Sequence, residues 1–342
     1  MPDASASSSR LVLLTGISGF LGAATALEFL KRGWHVRGTV RSQEKADAWL
    51  AKYPEYASQL SFAIVSDLAA PNAFDEAIKG VDAVAHIASP FTFQFEDNVR
   101  DLLDPALKGT LSVLEAAKKE STVKNIVITS SLAAAQDPAK GLDPGFTRTS
   151  AVWSPFKWEE AAVTNQPHLV YLASKTFAEK AAWEFYEREK PAFTMSTIVP
   201  PIILGPSLQP LKSLDDLKVS ASIIRRMVDA AQVDPTAVPA FVNVLDCARA
   251  HVEAIERAHT NRYLLIGGDN DYLEIARYLR EEFPAQAHRI PTRGTPLGPH
   301  WGYDCSPAKE ELGMVFTNLR TTVKQAGEQI FEIEKTEGNK VK

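Results

Sequence analysis

The sequence lacks the features that mark membrane, secreted and nucleic-acid-binding proteins. No apolar run approaches the ~18 residues that a membrane-spanning helix requires. Met1–Arg10 is small and polar, without the apolar segment of a signal peptide. The net charge is -5 and no long basic block occurs, which disfavours nucleic acid and anionic membranes as partners. We therefore predict a cytoplasmic protein with no nucleic-acid or membrane partner.

Cysteine is also scarce, with only Cys247 and Cys305 in the whole chain. Counting alone leaves one disulfide open, but two scattered thiols in such a chain more often stay reduced in packing positions. Neither cysteine belongs to a Cys/His cluster with the spacing of metal ligands, so no metal site is predicted.

The first half of the chain alternates short apolar runs with longer amphipathic stretches. This alternation predicts an α/β fold, a Rossmann-type doubly wound parallel sheet covered by helices on both faces. The predicted strands are Leu11–Thr15, His35–Arg41, Leu60–Ser66, Ala83–Ala88 and Asn125–Ser131. The predicted helices between them are Phe20–Arg32, Gln43–Lys52, Asn72–Lys79 and Asn98–Lys119.

A sixth unit follows, with a helix near Leu169–Glu189 and a strand Thr194–Leu204. From Pro206 onward prolines are frequent and clear strands are rarer, which indicates a smaller, mostly helical substrate lobe. The helices predicted there are Ser213–Ala231, Asn243–Ala258, Tyr272–Phe283, Pro307–Gly313 and Leu319–Glu334. The expected domains are a flexible N-terminus 1–10, a dinucleotide-binding domain 11–205 with the catalytic helix, a mainly substrate lobe 206–334 with some segments returning to the sheet, and a flexible tail 335–342.

A glycine-rich turn links the first predicted strand to the first predicted helix. Gly16 permits a tight turn, Gly19 lets backbone N–H groups approach a pyrophosphate, and Gly22 lets the helix lie close to the strand. Three glycines alone would be weak evidence, because turns and tight packing also need glycine. Their position at the strand–helix junction predicts a dinucleotide site that also includes Ser18, Phe20 and Leu21.

Basic residues follow the second strand, where an NAD site would place an acidic residue. Arg41 and Lys45 are four residues apart, a spacing that brings both cations to one phosphate and predicts NADPH as the cofactor. The alternative is a solvated basic patch that faces Glu44 and Asp47. After the third strand, Asp67 and Leu68 either contact the adenine or, equally well, Asp67 caps a helix.

Tyr171 and Lys175 form a candidate catalytic pair at the start of an amphipathic helix. The (i, i+4) spacing places both side chains on one face, where the tyrosine can protonate an alkoxide. We expect the ammonium and an oxidised nicotinamide to lower the pKa of the phenol. Lys175 would also hold the nicotinamide ribose.

The fifth predicted strand ends in hydroxyl side chains at the carboxyl edge of the sheet. A hydroxyl donor there can hydrogen-bond a substrate oxygen and stabilise its developing charge. Side chains alternate along a strand, so only one of Ser130 and Ser131 faces the pocket, and we predict Ser131. A capping or turn serine is the alternative role.

These motifs together resemble an extended short-chain dehydrogenase/reductase. More narrowly, the chain is similar to the dihydroflavonol-reductase-like branch, which includes yeast and fungal aldehyde and methylglyoxal reductases. Further matching segments are 86–90, 200–206 and 241–251. The resemblance implies NADPH-linked reduction of an aldehyde or ketone by a triad of Ser131, Tyr171 and Lys175. It also implies cofactor contacts from Ala88, Ser89 and Pro200. Two segments, Ala151–Ser154 and Val242–Asp246, differ from the pattern that is usual in this family. Both lie outside the triad, so they bear on the identity of the substrate more than on the type of reaction.

The substrate site is less defined by the sequence. Phe93, in an aromatic segment after the fourth strand, is expected to line a pocket together with Ser131 and Tyr171, although a buried edge also suits alternating aromatics. His86 is interpreted as structural or at the edge of the cofactor rather than as a base. Trp153, Trp158 and Trp301 are interpreted as packing residues, although any of them could contact a bulky substrate. The expected substrate is an apolar or aromatic carbonyl compound, and the expected assembly is a monomer or a homodimer.

Three other functions share parts of this pattern. A hydroxysteroid or dihydroflavonol-type reductase shares the triad. A nucleotide-sugar epimerase or dehydratase shares the glycines and the Tyr/Lys pair, but usually retains NAD, which Arg41 disfavours. A non-catalytic dinucleotide-sensing regulator would not need Ser131, Tyr171 and Lys175 together.

Overall fold

The computed structural model of the chain describes residues 10–90 and 94–340, with side chains up to residue 337. The strands in chain order are β1 (Leu11–Thr15), β2 (His35–Val40), β3 (Leu60–Ile64), β4 (Ala83–His86), β5 (Asn125–Thr129), β6 (Thr147–Arg148), β7 (Thr194–Val199), β8 (Ile202–Leu204), β9 (Ala240–Asn243), β10 (Arg262–Leu264), β11 (Gly268–Asp269) and β12 (Gly302–Tyr303).

The helices in chain order are α1 (Phe20–Lys31), α2 (Gln43–Lys52), α3 (Asp104–Lys119), α4 (Trp158–Val163), α5 (Pro167–Glu189), α6 (Val244–Arg257), α7 (Tyr272–Glu282), α8 (Ser306–Glu311) and α9 (Leu319–Lys340). A wider helical turn at Val99–Leu103 leads directly into α3. Within the described part of the chain, no helix has both the length and the apolarity to cross a membrane.

Seven parallel strands form the central sheet in the order β3-β2-β1-β4-β5-β7-β10. The order reverses between β1 and β4, and ligands of open α/β sheets bind at the carboxyl edge beside such a reversal. The predicted Rossmann-type α/β fold is confirmed.

Apolar residues of the sheet alternate between two cores. Val12 and Leu14 point into a core built with α1 and α6, whereas Leu13 points to the opposite face, into the core beneath α3 and α5. This alternation follows from the two-residue period of a strand and explains why every central position of β1 is apolar.

The second half of the chain adds a small sheet, in the order β11-β9-β8, and a third core. Helices α7 and α9 pack against each other there, and β12 pairs with the short β6. Strand β10 returns to the edge of the central sheet beside β7.

Three predicted elements were wrong. The segment Asn72–Lys79 forms consecutive turns, and Asn72 has a positive φ of 58° that a helix excludes. The predicted helix Ser213–Ala231 is broken into short 3₁₀ turns, with Val219 at φ 50°, so that its apolar side chains pack into the third core. The strand Thr194–Leu204 splits at Pro200 and Pro201, which have no N–H groups for a ladder.

Other differences are smaller. Helix α4, strand β6 and strands β9 to β12 were not predicted, and α9 continues past Glu334 to Lys340. The expected flexible ends, 1–10 and 335–342, lie partly outside the described residues. Cys247 and Cys305 are buried free thiols, so the disulfide that the count left open is absent.

Candidate active site

The glycine turn between β1 and α1 is packed too closely for side chains. Gly16 has φ 73° and lies against Ala88, and a Cβ atom on Gly22 would be 2.1 Å from the carbonyl oxygen of Gly16. The N–H of Gly19 donates to that same carbonyl at 3.0 Å. No side chain caps the first turn of α1 and no acidic residue lies in it, so its N–H groups remain positive toward an anion.

Thr15 connects this turn to the end of β4. Its Oγ1 accepts the N–H groups of Ile87 and Ala88, each at 3.0 Å, and lies 3.0 Å from Nδ1 of His86. Because two donors occupy its lone pairs, the hydroxyl donates its hydrogen to Nδ1. Burial, and then the charge of Lys175, lower the pKa of His86 to about 3. His86 is therefore a neutral structural residue, in agreement with the sequence interpretation.

Arg41 and Lys45 are exposed after β2, and among the described residues neither forms an ion pair. The nearby carboxylates have other partners. Glu44 lies 3.2 Å from Nζ of Lys212, and Asp47 accepts a hydrogen bond from Gln43 at 2.8 Å. Glu44 and Asp47 thus pair with neither cation, and a contact of Arg41 and Lys45 with a phosphate group remains a prediction.

Asp67 follows β3 and is exposed. One of its carboxylate oxygens accepts the N–H of Ala69 at 2.8 Å, which caps a turn because no helix follows. The adjacent Leu68 packs close to Gly109 of α3. A contact of Asp67 and Leu68 with adenine remains a prediction.

Ser131 and Tyr171 come together at the carboxyl edge of the sheet. Ser131 begins a 3₁₀ turn, and its Oγ accepts the N–H of Ala133 at 3.2 Å. That contact leaves the serine hydrogen free to donate, and the hydroxyl lies close enough to the phenol of Tyr171 to lower the pKa of that phenol. The following turn is fixed by Leu132, whose N–H donates to the carbonyl of Pro200 at 2.8 Å.

The neighbouring Ser130 points elsewhere. It is buried, and its hydroxyl donates to Glu179 of α5 at 2.5 Å. The alternation expected at the end of β5 is therefore present, and of the two serines Ser131 is the one that reaches Tyr171.

Lys175 lies one helical turn after Tyr171, with Nζ 5.8 Å from the centroid of the phenol ring. Burial lowers the pKa of Lys175 to about 8. Burial also raises the pKa of Tyr171, and the nearby Ser131 hydroxyl opposes this only partly. The expected lowering of the phenol pKa included the charge of an oxidised nicotinamide and remains a prediction; in the protein alone, burial raises that pKa because the phenolate loses its hydration.

Tyr171 lies against an apolar cluster. The residue packs against a buried aliphatic cluster from α4, α5 and the turn before α3, and the same cluster is contacted by the aromatic residues Phe95, Phe156, Trp158 and Phe177. The rings of Trp158 and Phe177 are 5.1 Å apart. Phe93, the predicted pocket residue, lies outside the described residues.

Sequence reasoning missed two buried charged residues beneath the site, Glu179 and Arg262, which form an ion pair at 2.8 Å. Glu179 lies at the i+8 position from Tyr171, so helical spacing could have placed it on the same face. Nothing local in the sequence pairs Arg262 with it.

The sequence profile of the NAD dependent epimerase/dehydratase family matches residues 12–267. The ketoreductase azaE of Aspergillus niger is 36% identical over 337 residues, which cover 94% of this chain and 98% of that protein. The NADPH-dependent methylglyoxal reductase GRE2 of Saccharomyces cerevisiae is 31% identical over 340 residues, which cover 94% and 98%.

Among solved structures, the yeast methylglyoxal/isovaleraldehyde reductase Gre2 complexed with NADPH is similar with a TM-score of 0.86. The two chains are 29% identical, and the match covers 95% of this chain and 99% of that one. The fold is thus that of a Rossmann-type dehydrogenase or reductase. The chain belongs to the NAD dependent epimerase/dehydratase family, and the predicted resemblance to extended short-chain dehydrogenases/reductases is confirmed.

Proposed function

We propose that the protein is an NADPH-dependent carbonyl reductase that converts an aldehyde or ketone to the alcohol. The observation on which this depends is the position of the Ser131 hydroxyl close to the phenol of Tyr171, one helical turn from Lys175. The prediction from the sequence agrees with the activities named for the two relatives and with the NADPH-bound structure.

The protein's residues fit the cofactor. The cradle at Gly16 and Gly22 has no room for a Cβ atom, and Arg41 and Lys45 form no ion pair among the described residues. When bound, NADPH supplies the hydride for the carbonyl carbon. The residues proposed to hold it are Gly16, Ser18, Gly19, Phe20, Leu21, Gly22, Arg41, Lys45, Asp67, Leu68, Ala88, Ser89, Tyr171, Lys175 and Pro200.

Each member of the triad has a separate role. The raised pKa keeps Tyr171 protonated at neutral pH, so its phenol can donate a proton to the developing alkoxide. Oγ of Ser131 accepts a hydrogen bond from the N–H of Ala133, so the hydroxyl can donate its hydrogen to the substrate oxygen. Lys175 holds the ribose hydroxyls, and its positive charge stabilises the phenolate that remains after proton transfer.

The proposed substrate is an apolar or aromatic carbonyl compound. The apolar cluster that Tyr171 packs against supports this, because the cluster and the aromatic residues packed on it offer carbon surface rather than charged anchors. Phe93 completes the pocket in this proposal. We also propose that the protein acts in the cytoplasm as a monomer or homodimer.

A substrate panel tests the proposed function. Aliphatic and aromatic aldehydes, α-ketoesters, diketones and a steroid ketone are each incubated with NADPH or NADH, and nicotinamide absorbance is followed. We expect net oxidation of NADPH with apolar aldehydes or ketones. Turnover of nucleotide sugars without net cofactor oxidation would instead indicate an epimerase, and cofactor binding without any turnover would indicate a sensor.

A further inference from the structure

Glu179 is a buried carboxylate on the same face of α5 as Tyr171 and Lys175. Only 2% of its surface is exposed. Its oxygens accept hydrogen bonds from Ser130 at 2.5 Å and Thr197 at 2.7 Å. Two further bonds come from the guanidinium of Arg262, at 2.8 and 3.1 Å. Four donors fill the acceptor capacity of an ionised carboxylate, so the orientation of Glu179 is fixed.

Arg262 connects Glu179 to the loops around the site. One of its terminal nitrogens donates to the carbonyl groups of Ser150 and Val152, both at 2.7 Å. The ring of Trp153 lies over the guanidinium, 4.0 Å from its centre. Arg262 thus holds strand β10, the loop before α4 and helix α5 in one arrangement.

The contact with Ser130 is the one that reaches the candidate triad. Ser130 and Ser131 are consecutive at the end of β5, and their side chains point in opposite directions. Fixing Ser130 against Glu179 therefore also fixes the direction in which the Ser131 hydroxyl points toward Tyr171. Thr197 binds the same carboxylate from β7 but is not adjacent to any triad residue.

We propose that Glu179 and Arg262 are positioning residues for carbonyl reduction, acting through Ser130 to hold Ser131 against Tyr171. This inference rests on the proposed reductase function. Neither residue contacts the reacting atoms. The hydrogen bonds that run from Arg262 through Glu179 to Ser130 determine whether the hydroxyls of Ser131 and Tyr171 reach the same carbonyl oxygen of the substrate.

A matched pair of mild variants tests the proposal. Ser130→Ala and Thr197→Val each remove one hydroxyl donor from Glu179, so both should lower the Tm by a similar amount. We expect Ser130→Ala to lower kcat by about 10-fold, because small displacements of catalytic groups are costly to rate. Thr197→Val should keep kcat within about two-fold of the wild type, since it leaves the hydrogen bond between Glu179 and Ser130, and thus the position of Ser131, unchanged.

A double-mutant cycle separates positioning from stability. Glu179→Gln should lower kcat by about 10- to 100-fold with the dissociation constant of NADPH nearly unchanged. In the Ser131→Ala background the same change should have almost no further effect on kcat, because the group that Glu179 positions is already gone. Active-site concentration is set by NADPH titration, so partial unfolding does not count as lost turnover.

Three results would overturn the inference while leaving the reductase function standing. These are equal kcat values for Ser130→Ala and Thr197→Val, a wild-type kcat for Glu179→Gln, and an undiminished effect of Glu179→Gln in the Ser131→Ala background. Inactivity of the wild type on the whole carbonyl panel would instead overturn the proposed function itself.

Discussion

The hydroxyl of Ser131 lies close to the phenol of Tyr171 at the carboxyl edge of the sheet and lowers the pKa of that phenol. One group lies at the end of β5 and the other in the first half of α5, forty residues later in the chain. Both hydroxyls can therefore approach the same substrate oxygen. Lys175 lies one helical turn further along α5, with Nζ 5.8 Å from the centroid of the phenol ring.

Replacing Tyr171 by phenylalanine should remove the proton donor and keep the shape of the site. We expect kcat to fall by about 10²- to 10⁴-fold while NADPH still binds. Steady-state kinetics and fluorescence titration measure the two quantities. Tyr186→Phe, on the same helix but bonded only to the exposed Thr260, serves as the control and should keep its activity. Retained activity in Tyr171→Phe would refute the mechanism.

The pH dependence of kcat/KM for NADPH should reflect the loss of the proton from Lys175. Burial lowers the pKa of its ammonium group to about 8, so the charged form is present at pH 7 and is lost as the pH rises through about 8. We expect kcat/KM for NADPH, which reflects the free enzyme, to decline above that pH. Residual activity of Lys175→Arg should lack this inflection. A flat profile of the wild type between pH 7 and pH 10 would contradict the assignment.

The same pKa predicts a change in stability. Lys175 in the folded protein binds its proton less tightly than in the unfolded chain, so its charge destabilises the fold at pH 7 and this penalty fades as pH rises from about 8 to above 10. Lys175→Met should therefore increase the free energy of unfolding at pH 7, by at most about 3 kcal/mol, while activity is lost. Chemical denaturation at pH 7 and pH 10 measures the difference, and a gain that does not shrink at pH 10 would argue against this cause.

Arg41 should determine the preference for NADPH over NADH. Removing one charge-assisted phosphate contact in Arg41→Ala should raise the KM for NADPH about 10- to 100-fold. The KM for NADH should change little, because that cofactor has no 2′-phosphate. Lys31→Ala removes an exposed positive charge at the far end of α1 and is the control. Equal changes in both KM values would rule out the assignment.

Gly22 should not tolerate even a methyl group. A Cβ atom at this position would lie 2.1 Å from the carbonyl oxygen of Gly16, so helix α1 or the turn must shift. We expect Gly22→Ala to lose NADPH binding and to be destabilised by about 1–3 kcal/mol. Gly298→Ala is a suitable control because no atom lies within 4 Å of the added Cβ and its φ is not positive. Normal cofactor binding by Gly22→Ala would show that the turn is less confined than the structure indicates.

Local sequence patterns were sufficient to predict the helix and the strand that carry the candidate triad. The (i, i+4) spacing of Tyr171 and Lys175 and the strand alternation at Ser131 depend on neighbours only a few residues away, and both agree with the structure. The glycine turn is equally local, because strand, turn and helix follow one another in the chain.

Most of the features that the sequence did not predict depend on contacts between residues far apart in the chain. Strand β10 has three residues, and only its pairing with β7 identifies it as the seventh strand of the sheet. The segment Ser213–Ala231 has helical spacing, but packing of its apolar side chains into the third core broke it into short turns. The raised pKa of Tyr171 likewise depends on burial, which the sequence alone did not reveal.

The return of β10 and α6 to the first half of the fold has a consequence for any attempt to isolate the dinucleotide-binding region. Apolar residues of α6 such as Val252 and Ile255 share one core with Phe29 and Leu30 of α1. A fragment ending at Gly205 would leave this surface uncovered and expose the unpaired edge of β7. The nucleotide-binding half is thus not expected to fold alone, and any chimaera that contains it must also contain α6 and β10.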